Sequence, residues 1–102
     1  MASEKAYLEY ALDQLSGLED VTYKPMMGEY VLYYRGRVFG GIYDNRFLVK
    51  RTKSALALLP DAPAALPYEG AKEMLLADID DRGLMETLLP AMWEELPERK
   101  KK

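Results

Sequence analysis

The sequence predicts a single α+β domain, an antiparallel five-stranded sheet with flanking helices in the order α-β-β-β-β-α-β-α. Three observations predict it. Residues 22–50 hold both phenylalanines and five of the eight tyrosines, the residue types that strands favour. Arg35-Gly36 and Asp44-Asn45 interrupt that stretch, and Gly36 and Asn45 both tolerate the positive φ of two-residue hairpin turns. The segments on either side carry apolar residues at helical spacing. A chain of 102 residues fits one domain, here residues 1–97, followed by a basic tail at 98–102.

The first helix is expected over 3–15. Leu8, Ala11, Leu12 and Leu15 form one apolar stripe, bordered by Tyr7 and Tyr10. Ser3 is the expected N-cap, Glu4 favours the first turn, and Gly17 is expected at the left-handed position that stops the helix. Residues 21–27 carry β-branched and aromatic side chains, but Pro25 lacks a backbone donor. This segment therefore reads as a short edge strand, with Gly28 as a turn or bulge.

Strands over 29–34, 37–43 and 46–50 follow. With two-residue turns, Leu32 faces Phe39, Val31 faces Gly40, Ile42 faces Phe47 and Gly41 faces Leu48. Strand periodicity then makes Val31, Tyr33, Val38, Ile42, Phe47 and Val49 the core face. The second face carries Tyr30, Leu32, Tyr34, Arg37, Phe39, Tyr43, Arg46, Leu48 and Lys50, a mixture of aromatic and basic groups. A three-residue turn in either hairpin would slip the register and exchange some of these positions. Gly40 and Gly41 sit mid-strand, which points either to a bulge that lets a helix pack closely or to a ligand contact. They form no phosphate loop, since no GxxxxGK[ST] pattern is present.

Residues 52–59 read as a short helix capped by Thr52, with Ala55, Leu56 and Leu59 on one side and Pro60 closing it. The proline-rich run 61–67 reads as a surface loop and 67–70 as a turn, with a short bridge at Tyr68. Residues 72–77 are expected as a strand between Gly70 and the aspartates that follow. Asp80 or Asp81 then caps a last helix running to about Leu96, which Pro90 is expected to kink.

Composition excludes several chemistries. With no cysteine, disulfides and thiolate catalysis are absent; with no histidine, so are the commonest general base and the commonest metal ligand. The N-terminus has acidic residues where a secretion signal needs basic and apolar ones, and no apolar run is long enough to span a bilayer. A soluble, cytoplasmic protein with no membrane contact is expected. Net charge is −3, yet residues 24–53 carry a local net of +5, so the sheet is basic and the helices acidic. That pattern fits either internal complementarity or a nucleic-acid surface.

The candidate sites are few. Asp78, Asp80 and Asp81 suggest a metal loop or, alternatively, a helix cap; they lack the central glycine and terminal glutamate of a calcium loop. Glu69 and Glu73 lack an accompanying base or nucleophile. The tail from Arg99 to Lys102 offers weak, salt-sensitive nucleic-acid contacts or a solvated end. Met26, Met27, Met74, Met85 and Met92 read as packing residues. The candidate interaction face is Tyr30, Leu32, Tyr34, Arg37, Phe39, Tyr43, Arg46 and Lys50. Its composition suits a cover from the same chain, a homodimer, another protein or single-stranded nucleic acid.

Several segments resemble the N-terminal domain of the TfoX/Sxy family, bacterial regulators of competence genes. They are Lys24-Pro25-Met26-Met27-Gly28-Glu29-Tyr30, Leu32-Tyr33, the run from Gly36 to Lys50, Pro67-Tyr68, Met74 and the last helix. These correspond to the R-x-M-F-G-x-Y start, the D-G-x-x-F hairpin, the R-x-Y-x-K strand and the F-x-Y turn. Lys24 departs from the usual arginine, Met27 stands where an aromatic is common, and 47–50 keep only the shape of their strand. The resemblance implies a five-stranded α+β fold similar to secretion-chaperone-like domains. It supplies no catalytic residues. The chain is expected to be a stand-alone copy without the helical C-terminal domain of the full-length regulators.

The expectation is therefore a non-enzymatic regulatory or protein-interaction module, a homodimer through the sheet or bound to a protein partner. The alternative is a nucleic-acid-binding accessory protein. No catalytic residue, cofactor or metal is assigned.

Overall fold

Three tight turns build the sheet. In the computed structural model, which describes residues 3–96, β1 (Val21–Met26), β2 (Glu29–Tyr34), β3 (Arg37–Tyr43) and β4 (Arg46–Val49) run as a continuous meander. Each turn has two residues, and both have positive φ: Met27 and Gly28, Arg35 and Gly36, Asp44 and Asn45. That is the type I′ geometry whose twist matches the strands it joins. Gly28 is thus a turn residue, not a bulge.

The meander continues as a six-stranded antiparallel sheet in the order β1-β2-β3-β4-β6-β5, where β5 is Ala64–Ala65 and β6 is Met74–Leu76. The expected five strands become six because β5 forms inside the proline-rich run. Ala64 and Ala65 pair with Leu75 and Met74, and Pro60, Pro63 and Pro67 confine the strand to two residues. The helices are α1 (Lys5–Gln14), α2 (Lys53–Leu58) and α3 (Arg82–Trp93). Pro90 lies inside α3, which continues through it to Trp93. The terminal Pro97 and the tail 98–102 lie outside the described residues.

The second hairpin keeps its expected register, with Ile42 opposite Phe47 and Gly41 opposite Leu48. The first does so only near its turn. Tyr34 pairs with Arg37 and Tyr33 with Val38, but the register then shifts, so that Leu32 faces Gly40 and Val31 faces Gly41. Phe39 is the extra residue of a β-bulge, where two residues of one strand oppose one of its partner. The bulge turns Phe39 to the same side as Ile42, against strict alternation. It therefore overturns part of the expected face assignment.

The core face carries Leu32, Tyr34, Phe39, Ile42, Phe47 and Val49, and one apolar cluster joins them to all three helices. Leu8, Ala11 and Leu15 come from the α1 end, Ala55 from α2, and Met85, Leu88, Leu89 and Met92 from α3. The opposite, outer face carries Val31, Tyr33 and Val38, each only half-buried, together with Tyr43 and Leu48.

Gly40 and Gly41 leave no room for a side chain. A Cβ on Gly40 would meet the Leu48 carbonyl and lie 2.9 Å from Val49 Cα. One on Gly41 would lie 2.5 Å from the Tyr30 carbonyl and 2.6 Å from the Tyr43 ring. The close neighbours are adjacent strands and one tyrosine ring, not a helix.

Helix caps follow the sequence in two cases of three. Thr52 accepts a bond from the Ala55 amide at 3.1 Å, and Asp81 from the Leu84 amide at 3.0 Å. Ser3 is not the N-cap of α1, a position that Glu4 holds without a side-chain bond. Instead Ser3 ties two hairpin turns together. Its amide donates to the Gly28 carbonyl at 3.0 Å, its hydroxyl donates to Glu29 at 2.5 Å, and that hydroxyl accepts from the Asn45 amide at 2.9 Å. Asn45 Oδ1 in turn accepts from the Glu4 amide at 2.8 Å. Gly17 does not take the left-handed stop position; α1 closes through short turns in which Leu18 N–H reaches the Leu15 carbonyl at 3.0 Å.

Candidate functional site

The eight residues expected to share one interaction face do not share it. Leu32 and Phe39 are fully buried, and Tyr34 is 4% exposed, all beneath the helices. Tyr30 packs partly against the same core and makes an edge contact with Tyr23 at 5.8 Å. Arg37 lies at the end of the core face, where its guanidinium covers the Trp93 ring. Only Tyr43, Arg46 and Lys50 lie on the outer face. The cause is the bulge at Phe39, which no residue type announces.

The outer face carries a cleft of about 740 Å³ between the sheet and the segment from Pro67 to Met74. Its floor is Val38, Gly40, Tyr43 and Lys50; its wall is Pro67, Tyr68, Ala71, Lys72, Glu73 and Met74, with Arg51 at the rim. The volume lies in the range of small-molecule sites.

Local bonding holds the wall in place. Arg46 donates from Nε to the Tyr43 carbonyl at 3.1 Å and from Nη2 to the Leu66 carbonyl at 2.8 Å. One guanidinium thus links the end of β3 to the loop before Pro67. Tyr68 meets Tyr43 with ring centroids 6.1 Å apart. Tyr43 is itself buried because its ring folds back over Gly41.

The electrostatics of the cleft are cationic. Arg51 pairs with Glu73 at 3.5 Å, which occupies the one carboxylate in the lining. Lys50 has no carboxylate within ion-pair distance among the described residues. Burial, and then the nearby charge of Lys72, hold its ammonium below the usual lysine pKa. Burial also raises the Tyr43 phenol, with the neighbouring Tyr68, Glu29 and Tyr33 adding to the effect.

The other acidic candidates serve the fold. Asp80 accepts a bond from the Tyr10 hydroxyl, Asp78 from the Asp80 amide at 3.1 Å, and Asp81 caps α3. Glu73 is used by Arg51, and Glu69 is exposed. By sequence Lys72 is a strand residue, Met74 a packing residue and Pro67-Tyr68 a turn; the fold makes them a cleft wall. The signal that could have found them is the isolated Tyr68, an aromatic in a turn with no core position to fill.

The model of the TfoX N-terminal domain family matches residues 13–88 of this chain. An uncharacterized 12.7 kDa protein in the trpE 5′ region of Spirochaeta aurantia is 35% identical over 78 residues, a match covering 76% of this chain and 68% of that protein. No solved structure matches the chain.

Proposed function

Because the chain belongs to the TfoX N-terminal domain family, we propose that it is a non-enzymatic regulatory or interaction module that engages a protein partner through the outer sheet face. The observation that carries this reading is the asymmetry of the sheet. All three helices bury one face, while Val31, Tyr33 and Val38 on the other are only half-buried, beside Lys24 and Lys50. Aromatic and apolar side chains rimmed by cations match the composition of protein interfaces. The competence-regulator role implied by the family would act through such a contact, and a second copy of the chain is the first partner to test.

The test is Val31→Lys, which places a charge mid-face, away from the cleft, without touching the helical core. Sedimentation velocity over a concentration series should show self-association of the parent chain that the variant lacks. A strictly monomeric parent chain would exclude the homodimer. The interaction reading itself is overturned if the monomer also binds no protein whose capture Val31→Lys abolishes. Retention of single-stranded nucleic acid that falls steeply with salt would replace it with a nucleic-acid reading.

A further inference from the structure

We propose that the cleft between the outer sheet face and the segment from Pro67 to Met74 binds a small organic anion with an apolar or aromatic body. Lys50 and Lys72 hold its carboxylate or phosphate, and Val38, Tyr43, Tyr68 and Met74 hold its body. The inference concerns a ligand and stands whether or not the rest of the face takes a partner.

Four observations support it. The cleft is preformed, because Arg46 fixes its wall to the floor through the Leu66 and Tyr43 carbonyls. Its apolar surface comes from side chains that the core does not need, and Tyr68 is 57% exposed at its mouth. Lys50 and Lys72 both line the cleft, while its one carboxylate, Glu73, is paired to Arg51. Like charges brought together in a partly desolvated site cost free energy, and an anion between them reverses the sign of that term. Internal complementarity does not account for the pair: the acidic residues elsewhere in the chain leave Lys50 without a carboxylate partner among the described residues.

The arrangement also dictates selectivity. Two lysines are rotatable point charges, so they tolerate either a carboxylate or a phosphate, whereas a planar arginine fork would demand one bidentate geometry. The aromatic pair supplies a stacking surface for a flat or branched body. A free inorganic anion would use only half of the site.

The experiment titrates the ¹⁵N-labelled chain with phenylacetate, phenyl phosphate, inorganic phosphate and benzyl alcohol. The expected result is saturable amide shifts confined to Val38, Gly40, Lys50, Ala71 and Lys72 with the phenyl carboxylate, the phenyl phosphate or both. Whichever binds more tightly identifies the head group. Inorganic phosphate and benzyl alcohol should each bind at least about tenfold more weakly, since each lacks one of the two contacts. Lys50→Met and Lys72→Ala should each weaken the tighter probe about tenfold, the effect of losing one charge-assisted contact. Lys72 is exposed, so Lys72→Ala keeps the test valid if Lys50→Met alters the fold. Shifts scattered over the surface, equal binding of benzyl alcohol, or binding unchanged in Lys72→Ala would overturn the proposal.

Discussion

Arg37 covers Trp93: the guanidinium carbon lies 3.8 Å from the ring centroid, and Nη1 donates to the Trp93 carbonyl at 2.8 Å. The same nitrogen reaches the Leu96 carbonyl at 3.4 Å. One side chain at the start of β3 therefore both stacks on the last residue of α3 and adds a charged donor at its C-terminal carbonyls, joining the Leu96 amide at the Trp93 carbonyl. Arg37→Ala should lower the unfolding free energy by about 2 kcal/mol, the combined scale of a partly desolvated cation–π contact and a charged hydrogen bond. Arg37→Lys should recover less than half, because an ammonium cannot stack flat while donating to the carbonyl. Urea unfolding monitored by Trp93 fluorescence measures both.

Gly41→Ala should be destabilising by about 2 kcal/mol, the usual cost of forcing one extra carbon into packed structure. The added carbon would crowd the Tyr30 carbonyl and push the Tyr43 ring from its seat. That ring is also part of the cleft floor. The variant should therefore lose phenylacetate affinity as well as stability, whereas Gly36→Ala, at a turn with open space around it, should lose stability alone through its positive φ.

Lys50 gives a pH signature of known sign. Its pKa in the folded chain lies below the ordinary lysine value of 10.5, through burial and then through Lys72. The unfolded chain therefore binds the proton more tightly, and stability rises with pH across the window between the folded pKa and 10.5. Lys50→Met removes this effect, so it should be more stable than the parent chain at neutral pH, with an advantage that shrinks toward alkaline pH. The charged or titratable groups around Lys50 are Lys72, Arg51, Glu73, Tyr43 and Tyr68. Tyr43 opposes the trend in the parent chain: its raised pKa contributes stability below 10.0 that is lost as pH rises. Comparing the two chains by urea unfolding at each pH cancels that contribution. Equal stability at neutral pH would refute the assignment.

The N-terminus of α2 is held from two sides. Thr52 caps it locally, and Glu95, just past α3, accepts from the Ser54 amide at 2.8 Å and from the Ser54 hydroxyl at 2.6 Å. Thr52→Ala should cost about 1 kcal/mol. Glu95→Gln should speed hydrogen exchange at the Ser54 amide. The Ser54 bonds depress the Glu95 pKa, so its contribution is present above the ordinary glutamate value and is lost as pH falls through the folded pKa. The exchange difference between parent chain and variant should vanish in acid.

The second hairpin was readable to the residue because Asp44-Asn45 admits one turn type and Ile42 and Phe47 admit one inward side. The first hairpin was not, because the run Val38-Phe39-Gly40-Gly41-Ile42 is apolar or glycine throughout and offers no alternation to expose a bulge. One unseen extra residue then exchanged Leu32, Tyr34 and Phe39 for Val31, Tyr33 and Val38. Strand periodicity puts Arg37 on one face with Leu32 and Tyr34, and the pairing keeps it there; what the sequence does not carry is a link from Arg37 to Trp93 and the end of α3. Arg46 pairs with Tyr43 on the outer face, as the two-residue turn of the second hairpin implies. The cleft wall is illegible for a different reason: residues 67–74 are a turn and a strand start with no periodicity, and only the fold lays them over the sheet.

The latch at Ser3 makes the first helix conditional. The Glu4 amide, at the N-cap of α1, is satisfied by Asn45, forty-one positions away, and Ser3 reaches both Gly28 and Glu29. None of these acceptors is in place until the β1–β2 and β3–β4 turns have closed. Protection of the Glu4 amide should therefore be the last to appear during refolding and the first to disappear on local opening, a single-site clock for completion of the sheet.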